Sequence, residues 1–484
     1  MLSASGRGSK RLENVYRQLT ATLAIGSGSE CQARLSPSQH QAKAFMHSEA
    51  GAADADTQTQ APPKRARLSQ QSVYICGVAR TPLGSFMGGL SGLSATELGA
   101  IAIEAAVQRA GVPAAAVGEV YMGNVCSAGL GQAPARQASL RAGLPLHVDC
   151  TTVNKVCSSG MKAMMLGAQS IMLGARQVVV AGGMESMSNI PHYAPGMRAG
   201  TRLGHSQLLD GMLHDGLWDA THDIHMGECA EMCAERLGIS REAQDAHAVE
   251  SAERAQRATA EGLVAWEIAP VEVAAKGGGK RVVKEDEAIS KMNPDKLRKL
   301  KPFFRPQDGT VTAGNASPIS DGAAAVVLAS GAAVQQYGLP VLGRILGFGD
   351  AAVDPRDFPT APSQAIPAAL NHAGKAEEAL LHGFVFACVA KRDVEYWEVN
   401  EAFSVVDLAN RQLLGLDPQR VNVFGGAVAI GHPIGASGCR LIVTLLNVLR
   451  CKHARLGVAA ICNGGGGASA MVIEQVDSVA AEHC

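Results

Sequence analysis

Cys157 stands where a predicted strand gives way to small residues that open a helix, in NKVCSSGMKA (154–163). A thiol at a helix N-terminus lies near free N–H groups and the positive end of the helix dipole, which favour the thiolate. Because the thiolate is the nucleophilic form, the motif indicates covalent catalysis through Cys157. Taken alone, the same motif also fits a cysteine that is simply buried at a strand end.

Three further side chains occupy comparable positions in the second half of the chain. They are His432 in GGAVAIGHPIGASG (425–438), Cys462 in ICNGGGGASAMVI (461–473) and Asn400 in EVNEAF (398–403). An exposed imidazole is a candidate base, a glycine run brings backbone N–H groups to an oxyanion, and a carboxamide holds a water or a carbonyl. A packed histidine, a flexible turn and a buried asparagine are the structural alternatives. The pattern G-x-G-x-x-G is absent from the histidine segment, so a dinucleotide loop is not indicated.

Composition excludes several classes of function. The 484 residues carry a net charge of −1 and are 47% hydrophobic, which predicts a large core and no bulk attraction to nucleic acid or membranes. No uninterrupted apolar run reaches the roughly 18 residues of a transmembrane helix. The twelve cysteines form no C-x-x-C pair. Cys229 and Cys233, four residues apart on a predicted helix, are interpreted as core residues, and no metal site is predicted.

The elements that must position these residues alternate between strand and helix. Buried strands are predicted at 73–80, 119–125, 149–156 and 177–183, with helices at 96–111, 133–144 and 161–174 between them. This alternation predicts parallel βαβ units. The rhythm breaks over 189–315 and resumes near 320, which indicates an inserted loop domain. The predicted organisation is a leader at 1–71, a first domain at 72–333, a second domain at 338–476 and a tail at 477–484.

Taken together, the motifs resemble those of the thiolases. The set N-x-V-C-S-S-G, N-E-A-F, G-H-P-x-G-x-S-G and C-N-G-G-G occurs in the family's order, and the resemblance runs from about residue 72 to 476. RTPLGSF, YMGNV, AGGMESMSN and GTVTAGNAS match as well. The resemblance implies an α/β thiolase fold, in which two similar βαβαβ-type halves form a layered αβαβα arrangement with an inserted loop domain.

The resemblance also implies a mechanism. Cys157 attacks a thioester carbonyl while His432 takes its proton, coenzyme A leaves, and an acetyl-enzyme remains. Cys462 then removes an α-proton from a second acetyl-CoA, and the carbanion attacks the acetyl-enzyme to give acetoacetyl-CoA. One oxyanion site is implied at His432 and a water held by Asn400. The other is implied at the backbone N–H groups of Cys157 and Gly464.

The resemblance to the thiolases also implies which residues contact the substrate. IHMGECAE (224–231) resembles the segment of short-chain thiolases in which the methionine narrows the acyl pocket, here with His225 and Met226. A narrow pocket excludes long chains by overlap. Family contacts to coenzyme A map onto Lys291, Met292, Asn293, Lys296 and Ser317. A solvated charged face is the alternative for the basic residues. Coenzyme A thioesters are expected as substrates, with no permanently bound cofactor.

Two departures from the family pattern bear on ions and on length. Ala252 occupies the position of a potassium-binding tyrosine, and Gly314 replaces an alanine, so potassium activation is doubtful. The segment 375–396 is longer than the family requires, and a retained intron is one hypothesis for it. An assembly of identical subunits, dimer or tetramer, is expected, with no nucleic acid or membrane partner.

The residues also bear on two rival functions and on the location of the protein in the cell. A β-ketoacyl synthase shares the fold and uses two histidines, or a histidine and an asparagine, but Cys462 before four glycines argues against it. A non-catalytic coenzyme A- or lipid-binding relative would lack Cys157 or His432. RLENVYRQL (11–19) fits the spacing of an amino-terminal peroxisomal signal and equally an amphipathic mitochondrial presequence, and a cytosolic form stays open.

Overall fold

A computed structural model describes residues 71–275, 277–291, 293–380 and 389–476. Residues 1–70 of the predicted leader, the tail, Met292 and residues 381–388 of the long segment 375–396 lie outside these residues. The strands in chain order are β1 Val73–Arg80, β2 Gly84–Ser85, β3 Glu119–Gly123, β4 Asp149–Val153, β5 Val178–Ser186, β6 His192–Tyr193, β7 Leu209–Asp210, β8 Trp218–Asp219, β9 Ile224–His225, β10 Val271–Ala274, β11 Lys280–Val283, β12 Ser320–Ser330, β13 Gly343–Ala352, β14 Tyr396–Val399, β15 Leu456–Asn463 and β16 Gly467–Glu474.

The helices begin and end where capping residues allow. Ser94 and Gly111 bound the first long helix: the serine accepts from the N–H of Glu97, and the glycine adopts a left-handed φ of 65°. The helices in chain order are α1 Ala95–Ala110, α2 Pro134–Arg141, α3 Ser159–Met172, α4 Met226–Leu237, α5 Arg241–Ala260, α6 Pro294–Leu297, α7 Gly331–Tyr337, α8 Pro362–Leu380, α9 Ser404–Leu414, α10 Ala427–Ile430 and α11 Ile434–Lys452.

The main sheet is mixed rather than parallel. Its strands run in the order β14-β15-β16-β13-β1-β12-β5-β3-β4. The prediction of parallel units holds for β3 with β4 and β5, and for β14 with β15. It is wrong elsewhere, because β12 pairs antiparallel with β1 and β5, and β15 turns straight back into β16. A turn over 464–466 is too short for a crossover connection, so β15 and β16 must be antiparallel.

Five layers follow from how the helices bury their apolar faces. The first core cluster joins α1, α2 and α7 to one face of β1, β3, β5 and β12. The second joins α3 and α11 to the opposite face of these strands and to β15 and β16. The third joins α8 to the outer face of β13–β16. Helices α3 and α11 therefore form the central layer, in agreement with the predicted αβαβα arrangement.

Helix α11 is apolar enough to pass for a membrane span. Among the described residues it is the one helix with that length and composition, and 89% of its most apolar window is buried inside the protein. Its neighbours are α3 and the strands on both sides. A core helix of a large layered protein satisfies the same compositional test, because most of its surface packs against apolar side chains.

The segment between β5 and β12 carries elements outside the main sheet. It holds three two-stranded pairs, β6 with β7, β8 with β9 and β10 with β11, and the helices α4, α5 and α6. Helix α4 packs on α9 through a separate small core that includes Ala230, Cys233 and Val405. Cys233 is buried in this core and Cys229 in the neighbouring cluster around Met226, and both are free thiols.

The central layer is held together by backbone in close contact. A Cβ atom on Gly183 of β5 would overlap the carbonyl oxygen of Gly435 in α11, and one on Gly160 of α3 would stand 2.9 Å from the backbone nitrogen of Cys439. A real Cβ does not approach backbone atoms this closely, so the main chains must separate to admit a side chain. These glycines let α3, α11 and β5 meet without intervening side chains.

We expect Gly183→Ala to lower the free energy of unfolding by at least about 1–3 kcal/mol, because backbone rather than a flexible side chain must move. Urea unfolding followed by circular dichroism measures the change. Gly92→Ala is the matched control: a Cβ there meets nothing within 4 Å, so its stability should stay within about 0.5 kcal/mol of wild type. Equal stabilities of the two variants would contradict the close-contact argument.

Candidate active site

Cys157 lies just before the N-terminus of α3, on a backbone that the neighbouring serines fix. Val156 has a left-handed φ of 48°, and the hydroxyl of Ser159 accepts a hydrogen bond from the N–H of Lys155 at 2.8 Å. The hydroxyl of Ser158 reaches across to β15 and donates to the side-chain oxygen of Asn463 at 2.8 Å. The turn that carries the thiol is therefore tied to the strand that carries Cys462.

His432 is held in one tautomer by Ser437. The Ser437 hydroxyl donates to the carbonyl of Pro433 at 3.0 Å, so it must accept from Nδ1–H of His432, 2.6 Å away. The proton on Nδ1 leaves Nε2 as the unprotonated nitrogen. The amide nitrogen of Asn400 stands 3.4 Å from Nε2, which agrees with an acceptor at that atom. The geometry gives His432 the form that a general base needs.

Burial leaves the Cys157–His432 pair uncharged at rest. It raises the pKa of the Cys157 thiol to about 12, although N–H groups of Gly464 and Cys157 favour the thiolate. Burial, together with the nearby Arg440 charge, lowers the pKa of His432 to about 3. Backbone N–H groups favour the thiolate, as predicted, but desolvation is the larger of the causes that act on this thiol.

Cys462 ends β15 behind the wall of the cavity that Cys157 and His432 share. It is fully buried and packs with Met226, Phe358 and Ala402, which do line the cavity. Burial raises the pKa of its thiol well above the ordinary value, and the proximity of Cys157 raises it further. A thiolate formed at this position would be strongly basic, as removal of an α-proton requires.

The glycine turn after Cys462 is a structured hairpin rather than a flexible loop. Gly465 and Gly466 both adopt a φ of 79°, which a side chain rarely tolerates, and they close the turn between β15 and β16. Gly464 precedes them, and its N–H is directed at the Cys157 sulfur, where it favours negative charge. This supports the predicted oxyanion position at the N–H groups of Gly464 and Cys157.

A cavity of about 300 Å³ joins these groups to the predicted acyl pocket. Its wall includes Cys157, His432, Gly464, His225, Met226, Ser317, Phe303, Phe304 and Phe358. The His225 ring lies 4.7 Å from that of Phe304, and its Nδ1 accepts from the N–H of Gly227 at 2.9 Å. Burial lowers the pKa of His225. The Met226 sulfur would lie 3.6 Å from a Cβ on Gly464, so the methionine fills space beside the reacting thiol.

A second cavity of about 250 Å³ adjoins the first and holds the predicted coenzyme A residues. Lys291, Asn293 and Lys296 line it, and Ala313, Ala316 and Pro318 line both cavities. The ammonium group of Lys291 donates to the Ser85 hydroxyl at 2.7 Å. Ser317 lies on the wall of the first cavity instead, where its hydroxyl donates to the carbonyl of Ala402 at 2.8 Å. The predicted contact at Met292 lies outside the described residues.

The residues considered for potassium sit near the second cavity. Ala252 is buried with Leu83, Ala255, Ile289, Ala429 and Ile430. A Cβ on Gly314 would stand 2.8 Å from Leu297 and Leu300 side-chain atoms, so this chain has filled the space that an alanine would need. Doubtful potassium activation stays a prediction.

One buried group outside the cavity has side chains that metals use. His247, Glu401 and Asp407 bring ligand atoms within 4.8 Å of one another. The imidazole Nε2 of His247 is 2.7 Å from an Asp407 oxygen, and Nε of Arg411 is 2.7 Å from the same oxygen. A divalent cation bound there would lie close to the guanidinium charge, so we interpret this group as an ionic network.

Sequence reasoning missed the residues that orient the catalytic groups. Ser437 holds His432, Arg440 contacts Asn400, and Phe358 closes the acyl pocket. Ser437 lies five residues after His432 in the same motif, so its proximity could have been inferred from a helix start. Nothing in the sequence brings Arg440 next to Asn400, because that contact depends on how α11 lies against β14.

The comparisons with known proteins agree with this geometry. Residues 73–332 match the family model described as thiolase, N-terminal domain, and residues 339–475 match thiolase, C-terminal domain. The chain is 56% identical over 408 residues to acetyl-CoA acetyltransferase 2 of Arabidopsis thaliana, covering 84% of this chain and 98% of that one. It is 52% identical over 404 residues to the mitochondrial acetyl-CoA acetyltransferase of Rattus norvegicus, covering 84% and 91%.

A solved structure matches the fold as well. The Acat5 thiolase from Ascaris suum, crystallised in complex with coenzyme A, superposes with a TM-score of 0.77 at 44% sequence identity, covering 84% of this chain and all of that one. Fold and matched length define an acyltransferase. The chain belongs to the thiolase family.

The protonation state of Cys157 can be tested by alkylation. Iodoacetamide reacts with the thiolate, so with a pKa raised to about 12 the alkylation rate of Cys157 should keep rising well above pH 9. In urea the same cysteine should titrate near the ordinary value of about 8.5, so its rate should level off above about pH 9.5. Peptide mass spectrometry identifies the labelled cysteine. A plateau below about pH 8 in the folded enzyme would show a standing thiolate.

Proposed function

We propose that this thiolase is an acetyl-CoA C-acetyltransferase that joins two acetyl-CoA molecules into acetoacetyl-CoA through an acetyl thioester on Cys157. The observation that carries the proposal is the cavity in which Cys157, the unprotonated Nε2 of His432 and the N–H of Gly464 meet. Nucleophile, base and oxyanion donor are the parts that acyl transfer needs. The adjoining cavity with Lys291 and Lys296 offers positive charge for the phosphates of coenzyme A.

The first half of the reaction acetylates the enzyme. As the Cys157 sulfur bonds to the carbonyl carbon of acetyl-CoA, its proton passes to Nε2 of His432. The carbonyl oxygen becomes negative and is stabilised by N–H groups that need no rearrangement. When the carbonyl re-forms, the bond to the coenzyme A sulfur breaks, and that thiolate takes the proton of Cys462. Acetyl-Cys157, protonated His432 and the Cys462 thiolate remain.

The second half forms the carbon–carbon bond. The Cys462 thiolate removes an α-proton from a second acetyl-CoA, and the carbanion attacks the carbonyl carbon of acetyl-Cys157. The bond between that carbon and the Cys157 sulfur breaks, and His432 returns its proton to the departing thiolate. Both cysteines and the histidine regain their resting forms, and the products are acetoacetyl-CoA and free coenzyme A. Thiolysis is the same sequence in reverse.

Cys462→Ala separates the two halves. Acetyl transfer to Cys157 should stay within about tenfold of wild type, since a thiolate leaves without an acid, whereas condensation should fall by at least about 10²–10⁴-fold. Adduct mass spectrometry reports the acetyl-Cys157 peptide, and NMR reports exchange of the α-hydrogens of acetyl-CoA with deuterium. The buried Cys439→Ala is a matched control for loss of a thiol. Wild-type exchange in a folded Cys462→Ala protein would remove Cys462 as the base, and an adduct on Cys462 alone in the wild type would reverse the two roles.

Substrate length tests the short-chain assignment. Met226 and Phe358 occupy the acyl end of the cavity, so acetoacetyl-CoA should be cleaved with a kcat/KM at least about a hundredfold above that of a C16 3-ketoacyl-CoA. Met226→Ala should raise the relative kcat/KM for C6 and C8 substrates. Met232→Ala is the matched control, because Met232 lies on the same helix and is 36% exposed. Comparable kcat/KM values for C4 and C16 in the wild type would contradict a narrow pocket.

Three finer expectations belong to the same proposal. The protein assembles from identical subunits, potassium does not activate it, and residues 1–70 direct it to a mitochondrion or a peroxisome. The mass of the protein in solution tests the assembly. A comparison of kcat in sodium chloride and in potassium chloride tests the activation. A fusion of residues 1–70 to a fluorescent reporter tests the location. A monomer would contradict the first expectation and potassium activation the second, and a cytosolic fusion would select the cytosolic form that the sequence leaves open.

A further inference from the structure

Arg440 is a buried cation next to the proposed oxyanion site, with no part in the proton transfers described above. It lies in the second turn of α11 and is 1% exposed. Its Nη2 donates to the side-chain oxygen of Asn400 at 3.2 Å, and its Nη1 is 3.5 Å from a carboxylate oxygen of Glu398. Glu398 and Asn400 are two residues apart at the end of β14, so one guanidinium reaches both side chains on one side of the strand.

The contact decides which end of the Asn400 carboxamide faces His432. An arginine only donates hydrogen bonds, so the atom that faces Arg440 must be the oxygen. The NH₂ group of Asn400 is then the end that points at Nε2 of His432, 3.4 Å away. The reverse orientation would place an oxygen opposite the lone pair of Nε2 and would remove a donor from the oxyanion site. Orientation of this amide is therefore a chemical consequence of the neighbouring cation.

The same helix holds the histidine from its other side. Ser437, which binds Nδ1 of His432, precedes Arg440 by three residues, so both lie on one face of the first two turns of α11. One rigid element thereby orients the proposed base and the carboxamide beside it. The charges nearest to Arg440 are those of Glu398, Arg80, Glu267 and Glu401, and Glu267 is occupied by Arg80, Thr444 and Asn447.

We propose that Arg440 is a positioning residue for the reaction: through its hydrogen bond to the side-chain oxygen of Asn400 it turns the NH₂ group of that amide toward His432 and the oxyanion site. The inference rests on the roles proposed above for Asn400 and His432. A positioning residue touches no substrate, so its loss lowers kcat while binding is preserved. Loss of its charge also makes His432 easier to protonate, since Arg440 lowers the pKa of that imidazole.

The test replaces the ion pair as a unit, because removal of one partner would leave a buried charge. In the Arg440→Gln/Glu398→Gln enzyme, kcat for thiolysis of acetoacetyl-CoA should fall at least about tenfold with KM within about twofold, the signature of lost transition-state interactions. The acid limb of the kcat profile should move to higher pH. Arg440→Lys keeps a charge and a donor, so its acid limb should stay near that of wild type.

A second ion pair, in which the arginine is buried and the glutamate is partly exposed, provides the control. Arg254 is 6% exposed and lies 2.6 Å from Glu250 on α5, where it also binds backbone carbonyls. Arg254→Gln/Glu250→Gln should leave kcat and the acid limb near wild type. If the Arg440 double variant does not fold, Arg440→Met/Glu398→Leu replaces it, since apolar swaps of buried pairs are often tolerated.

The outcomes separate this inference from the proposed function. Wild-type kcat and acid limb in a folded Arg440 double variant would overturn it, and so would an equal loss in the Arg254 control. An Arg440→Lys enzyme whose acid limb moves as far as that of the double variant would also count against it. Asn400→Ala supplies the last distinction. If kcat falls in Asn400→Ala but not in the Arg440 variants, only the positioning role of Arg440 is wrong. If Asn400→Ala keeps the wild-type kcat, the role proposed for Asn400 is itself wrong.

Discussion

The close contact between the main chains of α11, α3 and β5 is the constraint on which the site depends. Gly183, Gly160 and Gly123 present bare backbone to α11 or α3, so at these points the main chains approach each other without side chains between them. The N-termini of α3 and α11 meet as a result. Cys157 lies just before one and His432 just before the other, so a packing requirement in the core brings nucleophile and base into one cavity.

That position carries an electrostatic consequence. A helix terminus favours a thiolate by a modest amount, typically about 0.3–1 kcal/mol and up to about 2 kcal/mol in partly buried sites. Burial opposes it and raises the pKa of the thiol to about 12, although backbone N–H groups favour the thiolate. The pair is thus neutral until substrate binds. The N–H groups around the sulfur therefore stabilise the oxyanion of the reaction rather than a resting thiolate. A resting neutral thiol is also less open to alkylation and oxidation.

The sequence predicted much of this molecule and missed what depends on long-range packing. Strands such as 73–80 and helices such as 96–111 follow from local apolar patterns, and the thiolase motifs pointed to Cys157, His432, Cys462 and Asn400. The local pattern of apolar residues does not predict that β12 pairs antiparallel with both β1 and β5. Neither is the protonation state of Cys157, because desolvation is a property of the folded surroundings. The burial of Cys462 behind Met226 belongs to the same class.

Helix α11 is strongly apolar, yet its few polar side chains orient the polar groups of the site. Arg440, Thr444 and Asn447 follow at spacings of four and three, which places them on one face of the helix. Thr444 and Asn447 donate to Glu267 at 3.1 and 2.7 Å, and Glu267 also accepts from Arg80 at 2.7 Å. A buried carboxylate is expensive unless donors surround it, and rotation of α11 by one residue would turn Thr444 and Asn447 away from Glu267 and leave it with Arg80 as a donor. The polar stripe therefore fixes the rotation of the helix, and with it the direction in which Ser437 presents His432 to the thiol.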